Sequence, residues 1–134
     1  MSFLLDTNIC IYIIKRKPVT VIKKMQQFPI EDLSISTITV AELELGVEKS
    51  QHQDTNRIAL IEFLSPLHIR DFDQPAARAY AELRATLERR GTPIGPLDML
   101  IAAHAISLEL TLVTNNLKEF QRIPRLKTEN WISS

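Results

Sequence analysis

The sequence is poor in the residues that build several common kinds of site. It has one cysteine, Cys10, so no internal disulfide can staple it; a disulfide scaffold is excluded, and the usage fits a reducing, cytoplasmic setting. Its three glycines, Gly46, Gly91 and Gly95, are too dispersed for a glycine-rich phosphate loop. His52, His68 and His104 are scattered, and with a single cysteine they offer no His/Cys ligand set for a soft metal. Long apolar runs are missing too. The longest near the N-terminus, Ile9 to Ile14, falls far short of the ~20 residues a bilayer-spanning helix needs. The first residues lack the positive charge of a secretory signal, and Asp6 interrupts their apolar stretch. Net charge is absent as well: 16 basic residues balance 16 acidic ones, so global charge makes no case for a polyanionic partner.

What is present is ordinary for one globular domain, read here as 1–134: 134 residues, 45% of them hydrophobic. A chain of this size buries roughly two-thirds of its unfolded surface, enough for a core without staples. Repeats, low-complexity segments and flexible linkers are not seen. Charge is uneven locally, however. Residues 1–30 hold Lys15, Arg16, Lys17, Lys23 and Lys24 against Asp6 alone, whereas residues 31–54 hold six acids against Lys49. Such runs are usually solvated faces, but this one also permits a basic rim beside an acidic pocket.

Apolar runs and punctuation alternate along the chain. Phe3-Leu4-Leu5 reads as a short buried strand, followed by the capping cluster Asp6-Thr7-Asn8 and a helix over Ile9 to Lys15. Pro18 is suited to the first position of a second helix through Val19, Ile22 and Met25. Leu33 to Ser36 reads as a strand; helices follow from about Ile38 to Lys49 and from about Asp54 to Leu64. Leu67 to Phe72 predicts a third strand, Asp73 a cap, and Pro75 to Arg90 a long helix stopped by Gly91. After the loop Thr92 to Pro96 come an apolar helix over Leu97 to Leu108, a fourth strand at Thr111 to Val113 and the polar turn Thr114-Asn115-Asn116. Strands alternating with helices predict an α/β fold with a parallel sheet.

In such a sheet functional groups gather beyond the carboxyl ends of the strands. Asp6 directly follows the first strand, although a plain helix cap explains it too, a role open equally to Thr7 or Asn8. Helical geometry separates Glu42 from its neighbours: Glu44 and Glu48 share a polar stripe, whereas Glu42 lies nearly opposite with Thr39 and Gly46. Gly46 inside a helix suggests a close approach by backbone or ligand. Asp98 sits in the apolar sequence Pro96-Leu97-Asp98-Met99-Leu100-Ile101; a first-turn acid is favoured by the helix dipole, but beside so much apolar surface a buried charge needs a partner. With no soft ligands at hand, that partner is a hard cation such as Mg²⁺ or Mn²⁺. His104, in an apolar helix, reads as a satisfied core or rim histidine, and Met25 and Phe28 read as core. An acid after the first strand also suits a phosphohydrolase of another α/β fold, which usually wants a second acid where Asn8 stands.

Four segments, LLDTN at 4–8, STITVAELELG at 36–46, IGPLDMLIAAHA at 94–105 and LVTNNLKEF at 112–120, together with TENW at 128–131, resemble the PIN-domain ribonucleases of the VapC toxin type over nearly the whole chain. The resemblance implies a three-layer α/β/α fold with a central parallel sheet of four to five strands, and an acidic pocket binding Mg²⁺ or Mn²⁺. By position, Asp6, Glu42 and Asp98 match the three main carboxylates, while Thr7, Asn8 and Thr114 match polar positions behind them. Many members place a fourth acid where this chain has Asn116. Either Glu119 compensates, or Asn115 and Asn116 hold a water or orient Asp6. The implied activity is an endoribonuclease toxin of a toxin–antitoxin pair, cutting the anticodon stem-loop of initiator tRNA, active as a homodimer. The implied partner is a VapB-type antitoxin that covers the acidic cleft and alone contacts operator DNA. Lys15 to Lys17, Arg89, Arg90, Lys118 and Arg122 are candidate phosphate contacts. A catalytically inactive PIN-like interaction domain is the rival reading, favoured by Asn116 and opposed by the retained acids.

Overall fold

The computed structural model describes residues 2–132. Five strands form one sheet: β1 (Phe3–Leu5), β2 (Leu33–Ser36), β3 (His68–Arg70), β4 (Thr111–Val113) and β5 (Thr128–Glu129). All neighbouring pairs are parallel, in the order β3-β2-β1-β4-β5. The helices are α1 (Thr7–Lys15), α2 (Val19–Met25), α3 (Thr37–Glu48), α4 (Gln53–Leu64), α5 (Gln74–Arg90), α6 (Pro96–Leu108) and α7 (Leu117–Phe120), with a single 3₁₀ turn at Ile30–Asp32.

Strand alternation divides the core. Phe3 and Leu5 of β1 point to one face, where they meet Ile9, Ile13, Val21, Leu43 and Leu60 from α1 to α4. Leu4, between them, points to the other and meets Leu83, Leu87, Ile101 and Phe120 from α5, α6 and α7. Each face of the sheet is thus covered by helices, the three-layer arrangement that a buried parallel sheet requires.

Local chemistry sets most element ends. Asp73 caps α5 through Oδ1, which accepts from Ala76 N, and Gly91 closes the same helix in the left-handed region at φ 69°. Asp6 caps α1, so that helix begins at Thr7, two residues earlier than the sequence suggests. Pro18 is the residue before α2 rather than its first member. The third strand is shorter than Leu67 to Phe72 because its ends leave the sheet edge: the Phe72 amide donates instead to Thr37 Oγ1 at 3.1 Å. Gly46 meets no close neighbour. A Cβ there would find nothing within 4 Å, so no other backbone approaches it closely and it lines an open groove.

The last strand is held by an aromatic cluster. Phe3, Phe28 and Trp131 pack with ring centroids 4.7 to 5.7 Å apart, Phe3 edge-on to the other two and Phe28 stacked on Trp131. Trp131 is buried and its indole N–H donates to Glu129 Oε1 at 3.0 Å, which ties the end of β5 to the core under β1. Phe28 and Met25 are half-buried against that cluster, in line with their reading as core. Trp131→Ala is expected to lower unfolding free energy by about 3–5 kcal/mol in urea titration, the usual cost of an aromatic-sized cavity. A loss below about 1 kcal/mol would show that the cluster does not anchor the sheet.

Candidate active site

Chain order reverses direction at β1: β2 lies on one side of it and β4 on the other. Beyond the carboxyl ends of β1 and β4 a crevice opens at this switch point. Asp6 stands at its base. The Asp6 amide donates to Val113 O at 3.0 Å, continuing the strand pairing, and the side chain is 5% exposed. Burial pushes its pKa up; hydrogen bonds from the Thr114 hydroxyl and from Ile9 N–H, the latter 2.9 Å to Oδ1, pull the other way, and the charge of Glu42 adds to the rise. Thr114 Oγ1 accepts from the Asn116 amide at 3.0 Å, which leaves its proton for Asp6. The Thr114 hydroxyl thus favours the ionised form of Asp6.

Glu42 enters from α3. Ser36 caps that helix, its Oγ accepting from Ile38 N at 3.0 Å. Glu42 is half-buried, and Oε1 accepts a 2.6 Å hydrogen bond from Thr7 Oγ1, which also lies 3.3 Å from Thr39 Oγ1. Glu44 and Glu48 face solvent as the stripe argument predicts, and both hold Arg57, at 2.9 and 2.7 Å.

Asp98 comes from the first turn of α6, after Pro96. Its pKa is raised to about 7 by burial, by a hydrogen bond with Glu119, and by the negative charges of Glu119, Asp6 and Glu42. A helix N-terminus would lower it, so desolvation and like charge outweigh the dipole here. Glu119, on the short helix α7, is held by Asn116: Nδ2 donates to Oε2 at 3.0 Å. Asn116 thus supplies no charge but positions one. Asn115 turns away, donating to Tyr12 OH at 3.3 Å, and Asn8 is exposed.

Four carboxylates consequently act on one another at one sheet edge, and every charge named as acting on Asp98 is negative. Oxygen donors of this kind fit a hard divalent cation, which keeps part of its water shell. As they stand, no three His, Cys, Asp or Glu side chains among the described residues are close enough to hold an ion together. Glu42 accepts from Thr7 and Glu119 from Asn116, so both acids stand beside the cluster with hydrogen-bond partners of their own.

One feature of the site is not legible in the sequence. His104, on the helix that carries Asp98, is wholly buried, and its Nδ1 lies 2.8 Å from Oγ of Ser36, the cap of the helix that carries Glu42. Its other nitrogen, Nε2, has no hydrogen-bond partner among the described residues, which corrects the reading of a satisfied histidine. Burial lowers its pKa, and its ring packs edge-on against Phe72 at 5.2 Å. The signal available in sequence is a serine ending an apolar strand and a histidine inside an apolar helix, each in want of a polar partner.

Comparison with known proteins agrees with this layout. The PIN domain family model matches residues 3–126. The chain is 46% identical to Ribonuclease VapC2 of Rickettsia felis and 43% identical to the tRNA(fMet)-specific endonuclease VapC of Shigella flexneri, in each case over 98% of both chains. In the crystal structure of VapBC2 from Rickettsia felis bound to a DNA fragment from their promoter, one chain matches with a TM-score of 0.92 and 45% identity, covering 98% of this chain and 99% of that one. Identity at this level over almost the full length, on the same fold, means that the chain belongs to the PIN-domain family, among its VapC ribonucleases.

Proposed function

We propose that this chain is a divalent-metal-dependent endoribonuclease, the toxin of a toxin–antitoxin pair acting in the cytoplasm, with Asp6, Glu42 and Asp98 as metal ligands and Glu119 as the fourth acid. The observation that carries the reading is the carboxyl of Asp98, driven to about 7 by burial and by three other acids converging from β1, α3 and α7. Acids gathered without a cation are in want of one. A bound Mg²⁺ or Mn²⁺ supplies the neutralising charge and a water activated for in-line attack on a phosphodiester. The protein's part is positional: Thr114 and the Ile9 amide favour ionised Asp6, Thr7 keeps Glu42 at the rim, and Asn116 keeps Glu119 beside Asp98.

Relatives named as tRNA(fMet)-specific endonucleases, from Shigella flexneri and Salmonella typhimurium, are 43% and 44% identical, so initiator tRNA is the substrate proposed first. An anticodon loop offers the unpaired bases that sequence-specific RNA cleavage needs. Three of the solved relatives are VapBC complexes, two of these on DNA, which supports a VapB-type antitoxin as partner, with DNA contacted through it. No described helix is long and apolar enough to cross a membrane.

Asp6→Asn and Asp98→Asn, which keep shape and lose charge, are each expected to reduce cleavage of initiator tRNA by at least about 100-fold with Mg²⁺ or Mn²⁺ present. At about pH 5, where Asp98 of the parent already holds its proton, their thermal unfolding should remain near that of the parent chain. Cleavage at parental rates by either variant would remove that carboxylate from the metal site.

Stability should report the same cluster. Folded Asp98 keeps its proton up to about pH 7, whereas an unfolded carboxyl releases it near 3.8, so between these values the folded state binds more protons and stability falls as pH rises. The raised pKa of Asp6 acts with the same sign. Metal-free protein is therefore expected to melt at a lower temperature at about pH 8 than at about pH 5, Asp98→Asn to flatten that slope, and Mn²⁺ to restore the melting temperature at the higher pH. A melting temperature that rises from about pH 5 to about pH 8 without metal would contradict the carboxylate crowding.

A further inference from the structure

A concave site lies outside the acidic crevice, between α2 and the chain leaving β5. It encloses about 650 Å³. Thr20, Lys23 and Lys24 stand on one face of α2 at the i, i+3, i+4 spacing, and Gln27 extends the stripe just past the helix; Glu129 and Asn130 form the opposite wall. A helix stripe of this spacing normally faces a core with apolar side chains. Here two ammonium groups face an open cleft, while the Thr20 hydroxyl donates to the carbonyl of Ile132 at 3.0 Å and ties α2 to the chain leaving β5.

The cations of the chain differ in how they are held, and Lys23 is one of many with no ion pair among the described residues. Arg57 is held by two glutamates, and Arg78 and Arg84 are each paired four residues along α5, with Glu82 and Glu88. Lys23 is exposed and forms no ion pair among the described residues. Lys24 sits over the ring of Phe28 and approaches Glu129 Oε1 only to 3.8 Å, and that oxygen already accepts the Trp131 indole N–H at 3.0 Å. Its ammonium is free to shift to a better anion.

The cleft is also placed to act with the crevice. Thr114, whose hydroxyl meets Asp6, donates its amide to the carbonyl of Glu129 at 3.0 Å. Two strand spacings of about 4.8 Å separate β5 from β1, so this wall begins roughly 10 Å from Asp6 along the same sheet edge. A polyanion entering a pocket of carboxylates gains nothing from them directly, and its binding energy must come from cations beside the pocket.

From the stripe, the two ammonium groups at the cleft and this adjacency, we infer that the cleft between α2 and the end of β5 is an RNA subsite, in which Lys23 and Lys24 hold backbone phosphates a few nucleotides from the bond cut at the acidic crevice. Gln27 and Asn130 supply further hydrogen bonds to the same backbone. The inference rests on the ribonuclease reading and adds to it a place where substrate is held without chemistry. Lys15 lines a separate, mostly apolar groove together with Glu42 and Asn56.

The test is steady-state cleavage of initiator tRNA by the full chain with Mn²⁺, over a series of KCl concentrations. Lys23→Ala/Lys24→Ala should raise KM about tenfold with kcat within about twofold, as loss of uniform substrate binding requires. The plot of log kcat/KM against log salt should become shallower by about 0.7 for each phosphate no longer neutralised. Lys23→Arg/Lys24→Arg should restore both, since charge and reach persist. Lys23→Glu, at an exposed position, gives the same test without disturbing the packing under Lys24 and should raise KM further. An unchanged KM and salt slope in the alanine and glutamate variants overturns the proposal, as does a fall in kcat at constant KM. If the parent chain leaves every RNA uncut under both metals, the ribonuclease reading itself fails, an outcome distinct from active parent and indifferent variants.

Discussion

Repulsion among carboxylates is the constraint on which the site depends. Asp6, Glu42, Asp98 and Glu119 converge from four separate elements, and each would be lower in energy in water than beside the others. The fold offsets this locally. Asp6 accepts from the first turn of its own helix, Glu42 from Thr7, and Glu119 from Asn116, while Asp98 is eased by holding a proton. Each of these is a modest interaction, and none brings a counter-charge. The gathering is therefore held by neutral hydrogen-bond donors and by one retained proton.

The crowding persists because the elements that carry it cannot drift apart. β1 is central in the sheet and buried on both faces, with Phe3 and Leu5 in one layer and Leu4 in the other. α6 and α3 are joined inside the protein by the bond between His104 and Ser36. That bond links the helices carrying Asp98 and Glu42 at a point hidden from solvent, where a polar pair has few alternative partners. On the far flank the stack of Phe28 on Trp131 holds the end of β5, and β5 in turn pairs with β4 to fix Thr114 behind Asp6.

Much of this can be read from the residues because the relevant signals are local. Asp73, Pro75 and Gly91 bound α5 by cap, first-turn and left-handed preferences that operate within a few residues. The separation of Glu42 from Glu44 and Glu48 follows from helical periodicity alone, and the five motifs point to the family without any coordinates. What cannot be read depends on tertiary partners. β5 has two residues and α7 four, too short for any period to register. The Asn116–Glu119 bond and the Ser36–His104 bond are decided by where helices cross. Gly46 is ambiguous in sequence because a glycine in a helix marks lost propensity as readily as close approach, and at this position the space beyond it is open.

The acids of the crevice stand at positions 6, 42, 98 and 119, and the strand that backs Thr114 ends at Glu129. Almost the whole chain must therefore exist before the crevice does. A ribosome partway through synthesis carries fragments with one, two or three of these carboxylates and no closed edge to hold them. For an enzyme whose proposed substrate serves translation, any fragment that stops short of Glu129 lacks the closed sheet edge that holds these acids.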